Sequence, residues 1–224
     1  GESFKDTAQN IEAMKIDAVV MRHPTPGAAD HLTNFIDSVV INAGDGTHEH
    51  PTQAILDMMS LHEKFGKLKG LKVAIVGDIL HSRVALSNIY GLITMGAEVM
   101  LCGPSNLVPI HLKELGVKIS YEINETLEWA DAVNVLRIQR ERMGKSLVPS
   151  IREYRQMFGI TSKKLSVHKK EIVIMHPGPI NRGVEISSDV ADSKNSIILD
   201  QVENGVAIRM SIIYLLAQKK PLNK

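Results

Sequence analysis

Val39-Val40-Ile41-Asn42-Ala43-Gly44-Asp45-Gly46-Thr47-His48-Glu49-His50-Pro51-Thr52-Gln53-Ala54-Ile55-Leu56-Asp57 holds a strand, a turn and a helix start in nineteen residues. The β-branched run Val39–Ile41 predicts a buried strand. Gly44-Asp45-Gly46 interrupts it with turn chemistry. Pro51 suits the first helical position, where its missing N–H is not needed and its fixed φ fits a helix. His50 then falls at the cap and is extended because it precedes proline. Gln53 stands in the first turn, where its amide is expected to reach back to the cap. Ile55, Met58, Met59 and His62 follow at helical spacing and are expected to form the buried face. A polar strand-to-helix loop of this kind aims backbone N–H groups and an imidazole at one point, and such a point attracts anions.

Working outward, strands and helices alternate. A helix is expected over Ser3–Met14 and a short strand over Ala18–Met21, with Arg22-His23-Pro24 at its end. A weak helix over Gly27–Ile36 precedes the strand at Val39. After a glycine- and lysine-rich break at Lys64–Lys72, a second unit starts with the strand Val73–Val76. Gly77-Asp78 ends it, and His81-Ser82-Arg83 opens a helix. Strands are expected at Glu98–Leu101, Lys118–Tyr121, Ala132–Leu136 and Ile172–Met175, with helices after Pro109 and over Glu125–Ala130. The last helix, Val206–Gln218, is apolar on most of its surface and is expected to be largely buried. This βα rhythm predicts α/β architecture with parallel sheets.

The 224 residues suffice for one large or two small domains, and 44% apolar against 23% charged residues is an ordinary globular balance. Net charge is +1 with no basic stripe, which argues against non-specific nucleic-acid binding. Cys102 is the single cysteine, so no internal disulfide forms, and it reads as a small buried hydrophobe. No apolar run approaches the roughly 20 residues of a membrane span. The expectation is a soluble cytoplasmic protein without a membrane partner.

In open parallel sheets ligands sit beyond the carboxyl ends of the strands. The polar residues expected there are Arg22 and His23, His50 with Gln53, Arg83, Arg137 with Gln139, and His176 with Gly178. A single arginine reads as a solvated charge. Three after separate strands suit a substrate with several negative charges, because guanidinium recognises carboxylate and phosphate bidentately. In an extended segment Arg137 and Gln139 point the same way, while Arg140, Glu141 and Arg142 read as surface pairs. Val76-Gly77-Asp78 lacks the G-x-G-x-x-G spacing, so no dinucleotide is expected. His48 and His50 have no third ligand at a metal-site spacing, so no metal is expected. No nucleophile motif is present. Group transfer by positioning and charge stabilisation remains.

These motifs, in this order, resemble the catalytic chains of the aspartate/ornithine carbamoyltransferase family. The matching stretches are Gly1-Glu2-Ser3, Arg22-His23-Pro24, Gly44 to Asp57, Gly77 to Arg83, Leu136-Arg137-Ile138-Gln139-Arg140-Glu141-Arg142 and His176-Pro177-Gly178-Pro179. The Arg-x-Gln-x-Glu-Arg run and Pro177 resemble the aspartate branch rather than the ornithine branch. The resemblance implies two doubly wound parallel-sheet domains. Residues 1–57 with 200–224 would bind carbamoyl phosphate, and 58–199 would bind L-aspartate. Arg22 and His50 would polarise the carbonyl, and Gln53 would hold the carbamoyl amide, aided by the carbonyls of Gly178 and Pro179. Arg83, Arg137 and Gln139 would clamp aspartate. Phosphate would leave, with no cofactor or metal. A homotrimer is implied, with dihydroorotase or a regulatory chain as further partners; the stretch from His176 to Ile186 resembles the class that associates with dihydroorotase. The family's phosphate loop and a lysine given by a neighbouring subunit precede the position of Gly1. The first domain is therefore expected to be incomplete and the chain inactive by itself. Two alternatives stay open: a transcarbamoylase for another amino acid, and a non-catalytic subunit that scaffolds a partner.

Overall fold

In the computed structural model, residues 1–138 and 150–218 are described. The chain opens with α1 (Phe4–Ala13), capped by Ser3, whose side chain accepts from the N–H of Asp6. β1 (Ala18–His23), the short α2 (Ala28–Leu32) and β2 (Val39–Asp45) follow, and the two strands pair in parallel. Ala8, Leu32 and Ile36 form the small core of this unit, with Phe4, Val19, Met21, Phe35 and Val40 against it. β2 runs four residues past Ile41, through Gly44, because glycine tolerates φ 118° there and lets the strand continue to Asp45.

α3 (Pro51–Phe65) starts at the proline, with His50 at its cap and Gly66 closing it in the left-handed conformation. Its buried face differs from the periodic expectation. Ile55 and His62 are exposed and Met58 and Met59 half-buried, while Gln53, Ala54, Leu56, Asp57, Ser60 and Leu61 face inward. Partly polar contacts decide which face turns in, and apolar spacing alone misses them.

The second sheet has five parallel strands in the order β5 (Lys118–Ser120), β4 (Glu98–Cys102), β3 (Lys72–Val76), β6 (Ala132–Val135) and β7 (Val173–Met175). From β3 the chain winds outward to β5 and then returns across β3 to β6. The order of strands therefore reverses between β3 and β6, which is where a doubly wound sheet opens a crevice. Helices cover both faces, so the central residues of the strands are mostly apolar. Val73 and Ile75 face one core with Leu61, Ile89 and Leu92. Ala74 and Val76 face the other with Leu127, Tyr154 and Phe158. The first face is covered by α4 (Arg83–Thr94), and the second by α5 (Ile123–Trp129) and α6 (Ile151–Phe158). The turn after Pro109 is a 3-10 segment, Ile110–Leu115. Short helices α7 (Ser162–Leu165) and α8 (Ser188–Ala191) flank β7.

The last helix, α9 (Ile198–Ala217), packs along α3. It is longer than its apolar run and less buried than expected. Val206 is 60%, Met210 65% and Tyr214 64% exposed, and the inward stripe is Ile198, Gln201, Asn204 and Gly205. The reason is visible in its bonds. Asn204 donates to Ser60 and Glu63 of α3, so polar pairing chooses the face that an all-round apolar helix leaves undetermined. Among the described residues no helix is long and apolar enough to cross a membrane.

Candidate active site

A cleft of about 300 Å³ lies at the carboxyl ends of the strands, between the two sheets. Arg22, His50, Gln53, Arg83, Arg137, Gly178 and Pro179 all line it. Gln139 and the rest of the Arg140–Arg142 run lie outside the described residues. Arg22 arrives as the penultimate residue of β1, and Arg137 stands just past β6. Arg83 is the first residue of α4, whose cap Ser82 accepts from the N–H of Ala85.

His50 makes no side-chain capping bond to α3. Its backbone N–H donates to Ser87 Oγ at 2.9 Å, which ties the start of α3 to α4. Burial lowers the ring's pKa to about 4, and Arg83, Arg209 and Arg22 push the same way. The imidazole is therefore neutral at pH 7. It can donate one N–H to a polarised oxygen without carrying its own charge.

Gln53 does not reach back to the cap. Its Nε2 donates forward to Asp57 Oδ1 at 2.9 Å, because a fully buried carboxylate is the stronger acceptor. The loop before α3 is held by Asp45, 2% exposed, which accepts from the N–H groups of Gly27 and Glu49. Burial pushes this carboxyl up, but those bonds and His48 outweigh it and hold it below the usual range. His48 faces Asp45 at 3.3 Å.

Two members of the strand-end set do not line the cleft. His23 turns its ring to Phe4, 5.9 Å away edge-on. His176, 2% exposed, sits behind the wall. Its Nδ1 accepts from the N–H of Gly178 at 2.9 Å and its Nε2 faces Glu185 at 3.2 Å. This fixes the Pro177-Gly178-Pro179 turn, in which Gly178 has φ 66°. Cys102 is fully buried, and burial pushes its thiol up to about 11.

Sequence reasoning misses Arg209, a fourth guanidinium on the cleft, carried by α9. It also misses the Asp78–His81 pair, where His81 Nδ1 lies 2.9 Å from Asp78 Oδ1. Residues after strands are easy to pick out; an arginine in mid-helix carries no such signal.

The architecture and this cleft agree with comparison to known proteins. Residues 1–63 match the carbamoyl-P binding domain of aspartate/ornithine carbamoyltransferases, and residues 69–216 match the Asp/Orn binding domain of the same enzymes. The chain belongs to the aspartate/ornithine carbamoyltransferase family. This carbamoyltransferase is 61% identical over 219 residues to the aspartate carbamoyltransferase catalytic subunit of Christiangramia forsetii, covering 98% of this chain and 71% of that one. It is 57% identical to the same subunit of Gemmatimonas aurantiaca, covering 99% and 69%. Among solved structures it resembles aspartate transcarbamoylase from Trypanosoma cruzi in complex with N-(phosphonacetyl)-L-aspartic acid, with TM-score 0.83 and 26% identity over 96% of this chain and 70% of that one. Ornithine carbamoyltransferase from Pyrococcus furiosus gives TM-score 0.85 at 26% identity, covering 99% and 72%. Both branches share this fold, so the backbone alone does not separate them; the high-identity relatives do.

Proposed function

We propose that the cleft transfers the carbamoyl group from carbamoyl phosphate to the amine of L-aspartate, giving N-carbamoyl-L-aspartate and phosphate. The observation that carries the site assignment is the convergence of Arg22, His50, Gln53, Arg83, Arg137 and the Gly178-Pro179 turn on one 300 Å³ space. The relatives at 57–61% identity, named aspartate carbamoyltransferase catalytic subunits, carry the choice of aspartate.

In this reading the carbamoyl group lies between the start of α3 and the Gly178 turn. Arg22 and neutral His50 donate to the carbonyl oxygen and stabilise the tetrahedral oxyanion as the amine attacks. Gln53 and the backbone carbonyls of Gly178 and Pro179 hold the carbamoyl amide. The C–O bond to phosphate breaks, and the departing phosphate takes up the amine proton. Arg83 and Arg137, with Gln139, grip the two carboxylates of aspartate. Holding both reactants in attack geometry supplies much of the rate.

The reading divides the chain into a carbamoyl phosphate unit, 1–57 with 200–224, and an aspartate unit, 58–199. It includes a cytoplasmic homotrimer that can bind dihydroorotase or a regulatory chain; light scattering on the purified protein tests the trimer. For the reaction, transfer of label from ¹⁴C-carbamoyl phosphate is measured on the full-length protein with L-aspartate and with L-ornithine. Saturable labelling of aspartate is expected. Labelling of ornithine instead, or of neither, overturns the assignment.

A further inference from the structure

Below the cleft floor Asp57 is 0% exposed, and its two oxygens accept four hydrogen bonds, all from primary amides. Oδ1 accepts from Gln53 Nε2 at 2.9 Å and Gln201 Nε2 at 2.8 Å. Oδ2 accepts from Asn88 Nδ2 at 2.8 Å and Asn134 Nδ2 at 3.2 Å. The donors come from α3, α9, α4 and β6. Burial pushes the Asp57 carboxyl above the usual carboxylate range, and the four amides offset this only in part. All four neighbours present their NH2 to Asp57, the arrangement that suits a group offering lone pairs.

A carboxylate dictates how each amide around it turns, because it offers lone pairs alone. Asn88 and Asn134 both turn their NH2 toward Asp57, and Asn88 also donates to the carbonyl of Val84 at 3.1 Å. Gln201 shows the useful result. With Nε2 given to Asp57, its Oε1 faces away and accepts the backbone N–H of His176 at 2.9 Å.

The same geometry applies to Gln53, which also lines the cleft. Its Nε2 is committed to Asp57, so Oε1 is the end of the amide left for a ligand. An outward Oε1 accepts from an amino group, whereas an outward NH2 would oppose it donor to donor. We propose that Asp57 is a positioning residue that fixes the polarity of the Gln53 amide, so that the cleft selects a carbamoyl donor by its NH2 and disfavours the methyl analogue. This rests on the reading that Gln53 faces the carbamoyl group.

The test compares carbamoyl phosphate with acetyl phosphate, which carries methyl in place of NH2. Both affinities are measured by calorimetry for the native protein, Gln53→Leu, Asp57→Asn and the double variant. Gln53→Leu is expected to cut the carbamoyl-over-acetyl preference by about tenfold, the loss of one hydrogen bond. Asp57→Asn is expected to cut it several-fold while leaving acetyl phosphate affinity near native. The double variant should lose no more than Gln53→Leu. An Asp57→Asn protein that weakens both ligands equally overturns the inference and leaves the Gln53 reading standing. An unchanged preference in Gln53→Leu overturns the Gln53 reading itself. Should Asp57→Asn not fold, the native protein still decides. The Gln53 side-chain NH2 signals, identified by their loss in Gln53→Leu, should exchange slowly with D2O before and after carbamoyl phosphate is added. Rapid exchange overturns the inference.

Discussion

Arg83 Nη1 stands 3.4 Å from the carbonyl oxygen of Gly46, so a guanidinium rooted at the start of α4 is braced against the loop that follows β2. The two sheets therefore meet through an arginine of the cleft. Gly44 makes room for it. A Cβ at Gly44 would stand 2.7 Å from Arg83 Cζ and 2.8 Å from Nε, on backbone already at φ 118°. Gly44→Ala should displace the guanidinium and add backbone strain of about 1–3 kcal/mol. We expect KM for aspartate to rise about tenfold or more, with a smaller change in carbamoyl phosphate affinity. Steady-state kinetics with each substrate varied in turn measures both.

The neutral state of His50 has a pH signature. Its folded pKa of about 4 lies below the ordinary 6.5, so between those values the unfolded chain binds the proton more readily. The stability it contributes is complete above pH 6.5 and is lost as pH falls through that window. Acid unfolding of His50→Gln should therefore be flatter than native between pH 6.5 and 4. Ring ¹³C signals should show titration near 4 in the native protein. In Arg83→Leu the value should rise yet stay below 6.5, because burial is the larger cause.

Arg137 tests the division of labour between the two substrates. Arg137→Leu removes one guanidinium from the cleft, on the side proposed to hold aspartate. Saturation by aspartate should disappear over the normal range, a loss of about 10²-fold or more in kcat/KM for a charged contact. Binding of carbamoyl phosphate should stay within about twofold of native. Calorimetry separates this from general damage to the pocket.

Arg209 curls back to donate to the carbonyl of Gly205 at 2.8 Å, and a Cβ at Gly205 would meet its Nη1 at 2.5 Å. Gly205→Ala should move this flexible tip rather than the helix. Replacing a mid-helix glycine gains up to about 1 kcal/mol of helix propensity, so the melting temperature should hold or rise slightly. The His50 pKa should climb as the Arg209 charge moves, and NMR titration follows it.

Much of this was readable in the residues. Arg22, His50, Arg83 and Arg137 stand where strands end, and parallel topology sends strand ends to one edge. Pro51 and Ser82 place helix starts within a residue. Other features follow from tertiary pairing that no local period encodes. Gln53 turns to Asp57 because a buried carboxylate outcompetes a cap. Ile55 and His62 face outward because Asp57 and Ser60 bond inward. Arg209 reaches the cleft because Asn204 bonds α9 to Ser60 and Glu63 of α3. A helix apolar on nearly every side, like α9, says little about which side is covered.

The cleft takes its walls from positions as far apart as Arg22 and Arg209, with α9 bonded to the centre of α3. No contiguous stretch of the polypeptide can assemble this pocket while it is being synthesised. Binding competence must therefore emerge late and all at once. A ligand that fills the pocket should act as a clamp on global folding, raising the unfolding temperature of both sheets together rather than of one alone.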